Sequence, residues 1–327
     1  MDTPRPDAGA PTGRDSRTQL TATMRFSVVI VTYNRRELLL GCLAVVTALD
    51  YPDYEVVVAD DGSTDGSVEA ARARFPRVRY VPHPVNTGEA AARNRALRAA
   101  TGEVIAFTDD DCVPPVDWLR RHARHYTEPR IGAVGGPVVC HAPTFYERFD
   151  AVQCAPRFDT LQVIERIQAY EHLCTANMSM RREVAERVGP FDEQFLIGCD
   201  SDYIRRVSRA GYCFVRDPEL RVEHLKVHQF TGFLRMRFSR GLGSVLTDVK
   251  EGTLRPRRFI PLLHVGRTWR NWTHFAARYG GEPGTFLRFW SLAVLTRIID
   301  VAGRLYYYWT AGRRYHRLAA PPQGWQG

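Results

Sequence analysis

The chain has 327 residues, of which 44% are hydrophobic and 25% charged, a balance typical of a globular protein with one large domain and an appendage, or with two domains. Its seven cysteines show neither a Cys-x-x-Cys pair nor metal-ligand spacing, which argues against a disulfide scaffold or zinc module and favours a reducing compartment. The net charge of +9 lies in the last third, because residues 221–320 hold 18 Lys and Arg against 5 Asp and Glu. We therefore expect an anionic partner for that part: phosphate, a membrane surface or nucleic acid.

Strand and helix patterns alternate along the first two thirds of the chain. Residues 1–23 are rich in Pro, Gly, Asp and Thr without an apolar core, so a disordered leader is expected at 1–24 rather than a signal peptide. Strands are then predicted at residues 26–31, 55–59, 78–81, 104–107, 131–140, 176–180 and 212–216, and helices at 35–49, 67–74, 89–100, 115–126, 181–188 and 201–210. Strands separated by helices imply right-handed crossovers and a mainly parallel α/β sheet.

The pattern changes twice. Residues 141–172 look like an insertion with local helices. Beyond about residue 230 the chain reads as basic, aromatic helices without strands. We therefore predict a catalytic domain at 25–230 and a helical C-terminal region at 231–327.

Three consecutive carboxylates, Asp109, Asp110 and Asp111, follow the fourth predicted strand directly. Adjacent negative charges repel, so such a cluster calls for a compensating cation. Oxygen ligands on a short turn suit Mg²⁺ or Mn²⁺, which often share their coordination with substrate phosphates. A solvated acidic turn is the alternative.

Two further strands deliver polar groups at the same expected edge. The first ends in Thr32, Tyr33 and Asn34, and the second in Asp60 and Asp61. Ligands of an open parallel sheet bind at the carboxyl ends of its strands, so this convergence favours a binding site. For the Asp60/Asp61 pair alone, a helix cap or turn would be an equal explanation.

The order of these motifs resembles that of family-2 glycosyltransferases. The resemblance rests on residues 27–34, 58–65 and 86–94 and on the triple Asp, and it covers about residues 25–225. It implies the GT-A fold, a nucleotide-binding α/β sheet with a mainly parallel centre flanked by helices, here followed by a helical extension. The resemblance assigns these residues to nucleotide binding: Thr32, Tyr33, Asn34, Asp61, Gly88, Arg93, Asp109 and Asp110.

The same resemblance suggests individual roles. Asp61 would accept a hydrogen bond from the base. Asp109 and Asp111 match the Asp-x-Asp motif that holds the nucleotide-sugar through its ribose and a divalent metal, so Asp111 is expected as a metal ligand. His224 falls where many relatives carry a histidine near the metal or diphosphate, although a lone His is also commonly structural. Arg93 has an alternative role in a structural ion pair.

A second block of the family is present with one departure. Relatives carry Gly-Glu-Asp-x-Asp before a helix, whereas this chain has Cys199 in place of the Glu, followed by Asp200 and Asp202. Asp200 matches the general base, since a hydroxyl attacking an anomeric carbon must lose a proton; capping of the following helix is the alternative. Asn177, Cys199 and Asp202 are expected on the acceptor side.

The C-terminal region suggests contact with a surface. Residues 285–310 are apolar and aromatic, but Arg288, Arg297, Asp300 and Arg304 interrupt them, so no uncharged span of 18 residues exists. Basic residues beside Trp and Tyr are typical of a helix lying in a membrane interface. Packing on the catalytic domain or in a homo-oligomer is an equal alternative, and the region has no nucleic-acid recognition motif.

Together these patterns predict a metal-dependent, inverting glycosyltransferase with Mn²⁺ or Mg²⁺ as cofactor. Its donor would be a UDP-, GDP- or dTDP-sugar, and its acceptor a glycan, lipid-linked or small-molecule hydroxyl. We expect a cytoplasmic protein, with peripheral attachment to the inner face of the cell membrane as an open alternative. The rival functions are a catalytically inactive sugar-nucleotide-binding or scaffold subunit, and a nicotinamide oxidoreductase, which the lack of Gly-x-Gly-x-x-Gly after the first strand disfavours.

Overall fold

The computed structural model describes residues 24–140, 144–154, 161–165, 173–195, 197–225, 229–254 and 265–310. The expected leader at 1–24 lies outside these residues except for Met24. The strands are β1 (Phe26–Thr32), β2 (Tyr54–Asp60), β3 (Arg79–Val81), β4 (Val104–Asp109), β5 (Cys112–Val113), β6 (Ile131–Gly135), β7 (Val138–Cys140), β8 (Gln162–Ile164), β9 (Met178–Arg181), β10 (Cys213–Arg216) and β11 (Val222–His224). The helices are α1 (Arg36–Val46), α2 (Ser67–Arg74), α3 (Glu89–Ala99), α4 (Trp118–Ala123), α5 (Phe145–Cys154), α6 (Arg182–Val188), α7 (Cys199–Arg209), α8 (Phe230–Lys250), α9 (Val265–Tyr279) and α10 (Pro283–Thr310).

Eight strands form one central sheet in the order β3-β2-β1-β4-β9-β6-β10-β8. The half from β3 to β4 is parallel throughout, as the alternation of strands and helices predicts. Strand β9 is antiparallel to both of its neighbours, β4 and β6, and β8 is antiparallel to β10. The sheet is therefore parallel where the polar strand ends converge and mixed on its other side.

The strands are nearly continuous apolar runs because both faces of the sheet are buried. Alternate residues of β1 enter different core clusters: Val28 and Ile30 pack with α1 on one face, and Val29 packs with α3 and α7 on the other. The same alternation holds in β2 and β4. This two-sided burial fixes the register of the strands, since a slip by one residue would exchange the two faces.

A second, three-stranded sheet has the order β5-β11-β7. The sequence suggests one strand at 131–140, but the structure divides it at Gly136-Pro137 into β6 and β7, which belong to different sheets. Gly136 allows the close approach, because a Cβ there would lie 2.0 Å from the carbonyl oxygen of Leu220. Strands β5 and β11 were not predicted, since runs of two or three residues carry no periodicity.

The predicted strand-free C-terminal helices are confirmed in the part of the region that the structure describes. Helices α5, α8, α9 and α10 share an aromatic core that includes Phe149, Phe233, Trp272, Phe275 and Phe289, so the helix at 145–154 joins the C-terminal helices. Helices α8 and α10 cross very closely, because a Cβ on either Gly241 or Gly303 would overlap a carbonyl oxygen of the opposite helix at 2.1 Å. Within the described ranges, none of the helices is long and apolar enough to cross a membrane.

Candidate functional site

The polar strand ends meet at one edge of the parallel half of the sheet. Strand β1 lies between β2 and β4, with Thr32 opposite Asp60 and Val31 opposite Asp109. All three strands end at this same edge of the sheet. The geometry therefore brings together the loop after Thr32, the loop after Asp60 and the acidic turn.

Each of the three adjacent carboxylates lies beside at least one cationic side chain. Arg93 Nη2 lies 3.4 Å from Asp109 Oδ1, and His224 Nε2 lies 3.2 Å from Asp111 Oδ1.

Arg35 contacts Asp110, and Asp111 as well, with one nitrogen. Its Nη1 is 2.8 Å from Asp110 Oδ1 and 3.1 Å from Asp111 Oδ2. Asp110 also accepts a 2.8 Å hydrogen bond from the Thr32 hydroxyl. The protein itself thus compensates the charge repulsion that the sequence leads one to expect.

Burial sets the electrostatics of the acidic turn. It raises the pKa of Asp109 to about 6, against the opposing effect of Arg93. It also raises the pKa of Asp110, against the opposing effect of Arg35. These carboxylates are harder to ionise than surface ones, so added positive charge at the turn stabilises their charged form.

The small sheet delivers His224 to this turn. In the pairing of β11 with β5, His224 lies opposite Cys112, the residue after Asp111. The backbone N–H of Leu225 also donates a 2.8 Å hydrogen bond to the Asp111 carbonyl oxygen. Burial disfavours a charged imidazole, but the hydrogen bonds with Asp111 and Cys140 and the charges of these two groups together outweigh it and raise the pKa of His224 to about 10.

Donor atoms of Asp111, Cys112 and His224 lie within 4.8 Å of one another. A carboxylate oxygen and an imidazole nitrogen are suitable ligands for Mn²⁺. Cys112 is fully buried, and this burial raises the pKa of its thiol well above the usual range, so it is a poor ligand for a hard ion. Asp111, and the imidazole of His224 once a metal displaces its proton, therefore fit a divalent cation that takes its remaining ligands from phosphate and water.

The loops after β1 and β2 are bound to each other. The Asn34 amide oxygen accepts a 2.7 Å hydrogen bond from the Thr64 N–H, and its own N–H donates to the Ser63 hydroxyl at 2.9 Å. Asn34 has a positive φ of 50°, a conformation that Asn tolerates better than most residues. Tyr33 remains 45% exposed and offers its ring to a ligand.

Asp61 holds the next loop in place. Its carboxylate accepts hydrogen bonds from the backbone N–H groups of Thr87 and Gly88, at 3.0 and 2.8 Å, and from Arg95 Nη2 at 2.6 Å. These bonds outweigh the effect of burial and lower the pKa of Asp61. Asp61 stays ionised and positions Gly88, where α3 begins.

Arg93 connects three elements of the site. Its guanidinium is 4% exposed and contacts Glu89 at 2.8 Å, Asp109 at 3.4 Å and the Cys199 sulfur at 3.2 Å. Helix α3, the end of β4 and the start of α7 are thereby joined around one buried cation.

Asp200 lies at the start of α7, beside this cluster. Its Oδ1 accepts a 2.7 Å hydrogen bond from the Ser201 N–H, and in the part of the chain that the structure describes no hydrogen bond reaches Oδ2. Asp200 and Asp109 both lie near the Cys174 thiol. Burial of this thiol, and then the charges of Asp200 and Asp109, raise its pKa.

The three residues expected on the acceptor side are all buried and all have partners within the protein. Asn177 is fully buried; its amide oxygen accepts from the Trp118 indole at 2.9 Å and its amide nitrogen donates to the carbonyls of Pro137 and Leu220. Cys199 is fully buried between Arg93 and Glu89.

Asp202 is 7% exposed and is engaged by Arg206 at 2.9 Å and Lys250 at 3.1 Å. Residues two apart on a helix point to nearly opposite sides, so Asp202 cannot share the environment of Asp200. A role of these three residues towards the acceptor stays a prediction.

The sequence interpretation missed Arg35 and Glu89. Only the need of three adjacent carboxylates for a cation pointed towards Arg35, and it did not say which residue supplies the charge. Glu89 carried no signal beyond its place in the first turn of a helix.

Comparison with known proteins places this geometry in context. The family model described as glycosyl transferase family 2 matches residues 27–189. Glycosyltransferase AglE of Haloferax volcanii is 32% identical over 235 residues, which are 69% of this chain and 75% of that protein. N-acetylglucosaminyl-diphospho-decaprenol L-rhamnosyltransferase of Mycobacterium tuberculosis is 29% identical over 236 residues, 62% of this chain and 76% of that protein. The mannosyltransferase PcManGT from Pyrobaculum calidifontis, solved in complex with GDP-Man and Mn²⁺, aligns with a TM-score of 0.61 and 25% identity over 86% of this chain and 87% of that chain.

Proposed function

Because the chain belongs to glycosyltransferase family 2 and has the GT-A fold, we propose that it moves a sugar from a nucleotide-sugar to an acceptor hydroxyl with inversion at the anomeric carbon. The observation that carries this proposal is the acidic turn at the edge of the parallel half-sheet, with His224 Nε2 3.2 Å from Asp111. The donor is a UDP-, GDP- or dTDP-sugar.

The nucleoside lies against the loops after β1 and β2. Tyr33 provides an exposed ring, and Asn34 and Asp61 fix the loops that surround it. Asp109, held by Arg93, binds the ribose, and Asp111 with His224 holds Mn²⁺ or Mg²⁺. When bound, this cation neutralises the negative charge that develops on the departing nucleoside diphosphate.

Asp200 acts as the general base. One of its oxygens is oriented by the Ser201 N–H, which leaves the other to accept the proton of the attacking hydroxyl. Arg93 links the Asp109 carboxylate to Cys199, the residue before Asp200, so donor and acceptor chemistry occupy adjoining parts of one site. The catalytic domain is assigned to 25–230 and the helical region to 231–327.

We place the acceptor among glycans and lipid-linked sugars, and the reaction in cell-surface glycan or glycolipid synthesis. The support is the resemblance to a protein named for a diphospho-decaprenol acceptor. The sequence has no Gln-x-x-Arg-Trp block of the kind found in processive relatives, so the enzyme adds a single sugar.

The helical region rests on an anionic membrane, which gives the protein a peripheral, cytoplasmic-side location. Apolar side chains on α10 are exposed at Leu287, Val294, Ile298 and Leu305, and the spacings of seven and four residues put them in one stripe. Two charged residues of α10 face inward instead: Asp300 pairs with Arg237 of α8, and Arg304 is 8% exposed. An outward apolar stripe beside a strongly basic region suits an interfacial helix.

A thermal-shift panel of nucleotide-sugars with Mn²⁺ tests the function, since a ligand that binds only the native state raises its stability. We expect one nucleotide class to stabilise the protein, EDTA or Asp111→Asn to remove the effect, and Asp50→Asn, a change in a surface ion pair, to leave it intact. Donor binding without transfer or donor hydrolysis would support the inactive-subunit alternative. Binding of no nucleotide-sugar would overturn the proposal.

A further inference from the structure

One nitrogen of Arg35 occupies the space between two carboxylates of the acidic turn. Nη1 lies 2.8 Å from Asp110 Oδ1 and 3.1 Å from Asp111 Oδ2. The side chain is 35% exposed, and among the described residues it has no hydrogen-bond partner besides these two aspartates. The guanidinium is therefore partly open to solvent, and its remaining N–H groups are available to a ligand.

Arg35 and a divalent cation compete for the same carboxylate. Asp111 is the residue that, with His224, fits the metal, yet its Oδ2 is engaged by Arg35. Two cations on one carboxylate repel strongly in a partly buried site. A metal bound at Asp111 thus favours the release of Arg35 from that oxygen.

The contact with Asp110 allows Arg35 to let go of Asp111 without leaving the site. Asp110 is 2% exposed and is fixed by the Thr32 hydroxyl, so it remains as a pivot. The freed N–H groups of the guanidinium would then be available to the phosphate oxygens of a metal-bound diphosphate. A planar guanidinium matches phosphate oxygens in a two-pronged geometry.

We propose that Arg35 is a resident counter-ion of the acidic turn that exchanges its bond with Asp111 for one with the diphosphate of the donor. This inference rests on the proposed function, because it requires a metal-bound nucleoside diphosphate at the turn. Its consequence is cooperative binding: Arg35 opposes the metal alone and supports the metal together with the diphosphate. A merely structural arginine would not produce effects of opposite sign.

The proposed exchange is tested by calorimetry, which measures the binding of Mn²⁺ and of a nucleoside diphosphate to wild type, Arg35→Gln and Arg35→Lys. We expect Arg35→Gln to bind Mn²⁺ alone at least about fivefold more tightly, on the scale of typical coupling between sites. In saturating Mn²⁺ the same variant should bind the diphosphate about tenfold more weakly or worse, the scale of a lost hydrogen bond between charged groups. Arg35→Lys keeps the charge and should therefore show a smaller change in both measurements.

Arg36→Gln is the matched control, because Arg36 carries the same charge one residue further on, is half exposed and is paired only weakly with Glu37 at 3.8 Å. It should leave both affinities unchanged. If wild type binds Mn²⁺ and diphosphate but Arg35→Gln weakens both, or changes neither, Arg35 is structural and the inference is wrong. If wild type binds no diphosphate with any metal, the proposed function fails first. Arg35→Lys, which preserves the cation, keeps the test valid should Arg35→Gln unfold.

Discussion

Glu89 faces Cys199 across the site, with Oε1 3.5 Å from the Cys199 sulfur and 2.8 Å from Arg93 Nη1. Arg93 also contacts the Cys199 sulfur at 3.2 Å. The family resemblance places a Glu where this chain has Cys199, and a neutral thiol cannot balance a buried guanidinium. Here Glu89, on the first turn of α3, supplies the carboxylate from another element.

This arrangement predicts that a carboxylate at position 199 can replace that of Glu89 as the partner of Arg93. Glu89→Ala should lower the free energy of unfolding by about 1 kcal/mol or more, because Arg93 loses a charged hydrogen-bond partner. Adding Cys199→Glu in that background should restore part of the loss, whereas Cys199→Glu alone should destabilise, since it adds a third carboxylate to one arginine. Denaturant unfolding of the two single variants and the double variant measures the coupling.

Glu69→Ala is the control for this cycle, because Glu69 is an exposed acidic residue in the first turn of α2. It reproduces the loss of a helix-terminal charge without touching Arg93. Additive single effects, within about 0.5 kcal/mol, would mean that the two positions do not exchange roles.

Asp200→Asn should reduce turnover by about 100-fold or more, the usual scale for a lost general base, while donor affinity is retained. The side chain keeps its size, and an amide oxygen can still accept the Ser201 N–H. Steady-state kinetics combined with donor binding separates the two effects. Asp202→Asn serves as the contrast: it breaks the contacts with Arg206 and Lys250 and should lower stability more than turnover. Normal turnover in Asp200→Asn would reassign Asp200 to helix capping.

Stability should fall in mild acid because of His122. This side chain is fully buried, and burial lowers its pKa from 6.5 to about 3, so the folded state keeps it neutral. His122 is protonated near pH 6.5 in the unfolded state but only near pH 3 in the folded state. The contribution of His122 is therefore present above pH 6.5 and is lost progressively as the pH falls towards 3.

His122→Phe should flatten this pH dependence in denaturant unfolding measured from pH 7 to 4. The ring keeps its edge contact with Trp118, and the Ser179 hydroxyl retains Tyr126 as a partner at 2.8 Å. His274→Gln, at an exposed position, should retain the wild-type slope. An unchanged slope in His122→Phe would assign the acid sensitivity to other groups.

The exposed stripe of α10 predicts binding to anionic vesicles. Ile298→Glu should abolish flotation of the full chain with such vesicles, because it places a charge where apolar insertion is required. Val116→Glu is the matched control, since Val116 is 61% exposed on the catalytic domain and Ile298 is 49% exposed. Wild type should float less with neutral vesicles. A wild-type chain that never floats but forms a dimer, which Ile298→Glu dissociates, would identify the stripe as a subunit interface.

The sequence by itself determined the α/β pattern, the parallel half of the sheet and the convergence of polar strand ends. These follow from local periodicity and from the rule that parallel strands present their carboxyl ends at one edge. Helix α2 was predicted with the bounds that the structure has, Ser67–Arg74. The triple Asp and its need for positive charge were equally evident from the sequence.

Only the tertiary structure decided which cations answer that need. His224 reaches Asp111 through β5 and β11, two strands too short to leave a periodic signal. Arg35 and Arg93 reach Asp110 and Asp109 from a loop and a helix on different sides of β1. Asn177 and Asp202 turned inward because partners distant in sequence, Trp118 and Lys250, bind them. Charge pairing between distant segments depends on how the segments pack, and a single sequence records the charges without the packing.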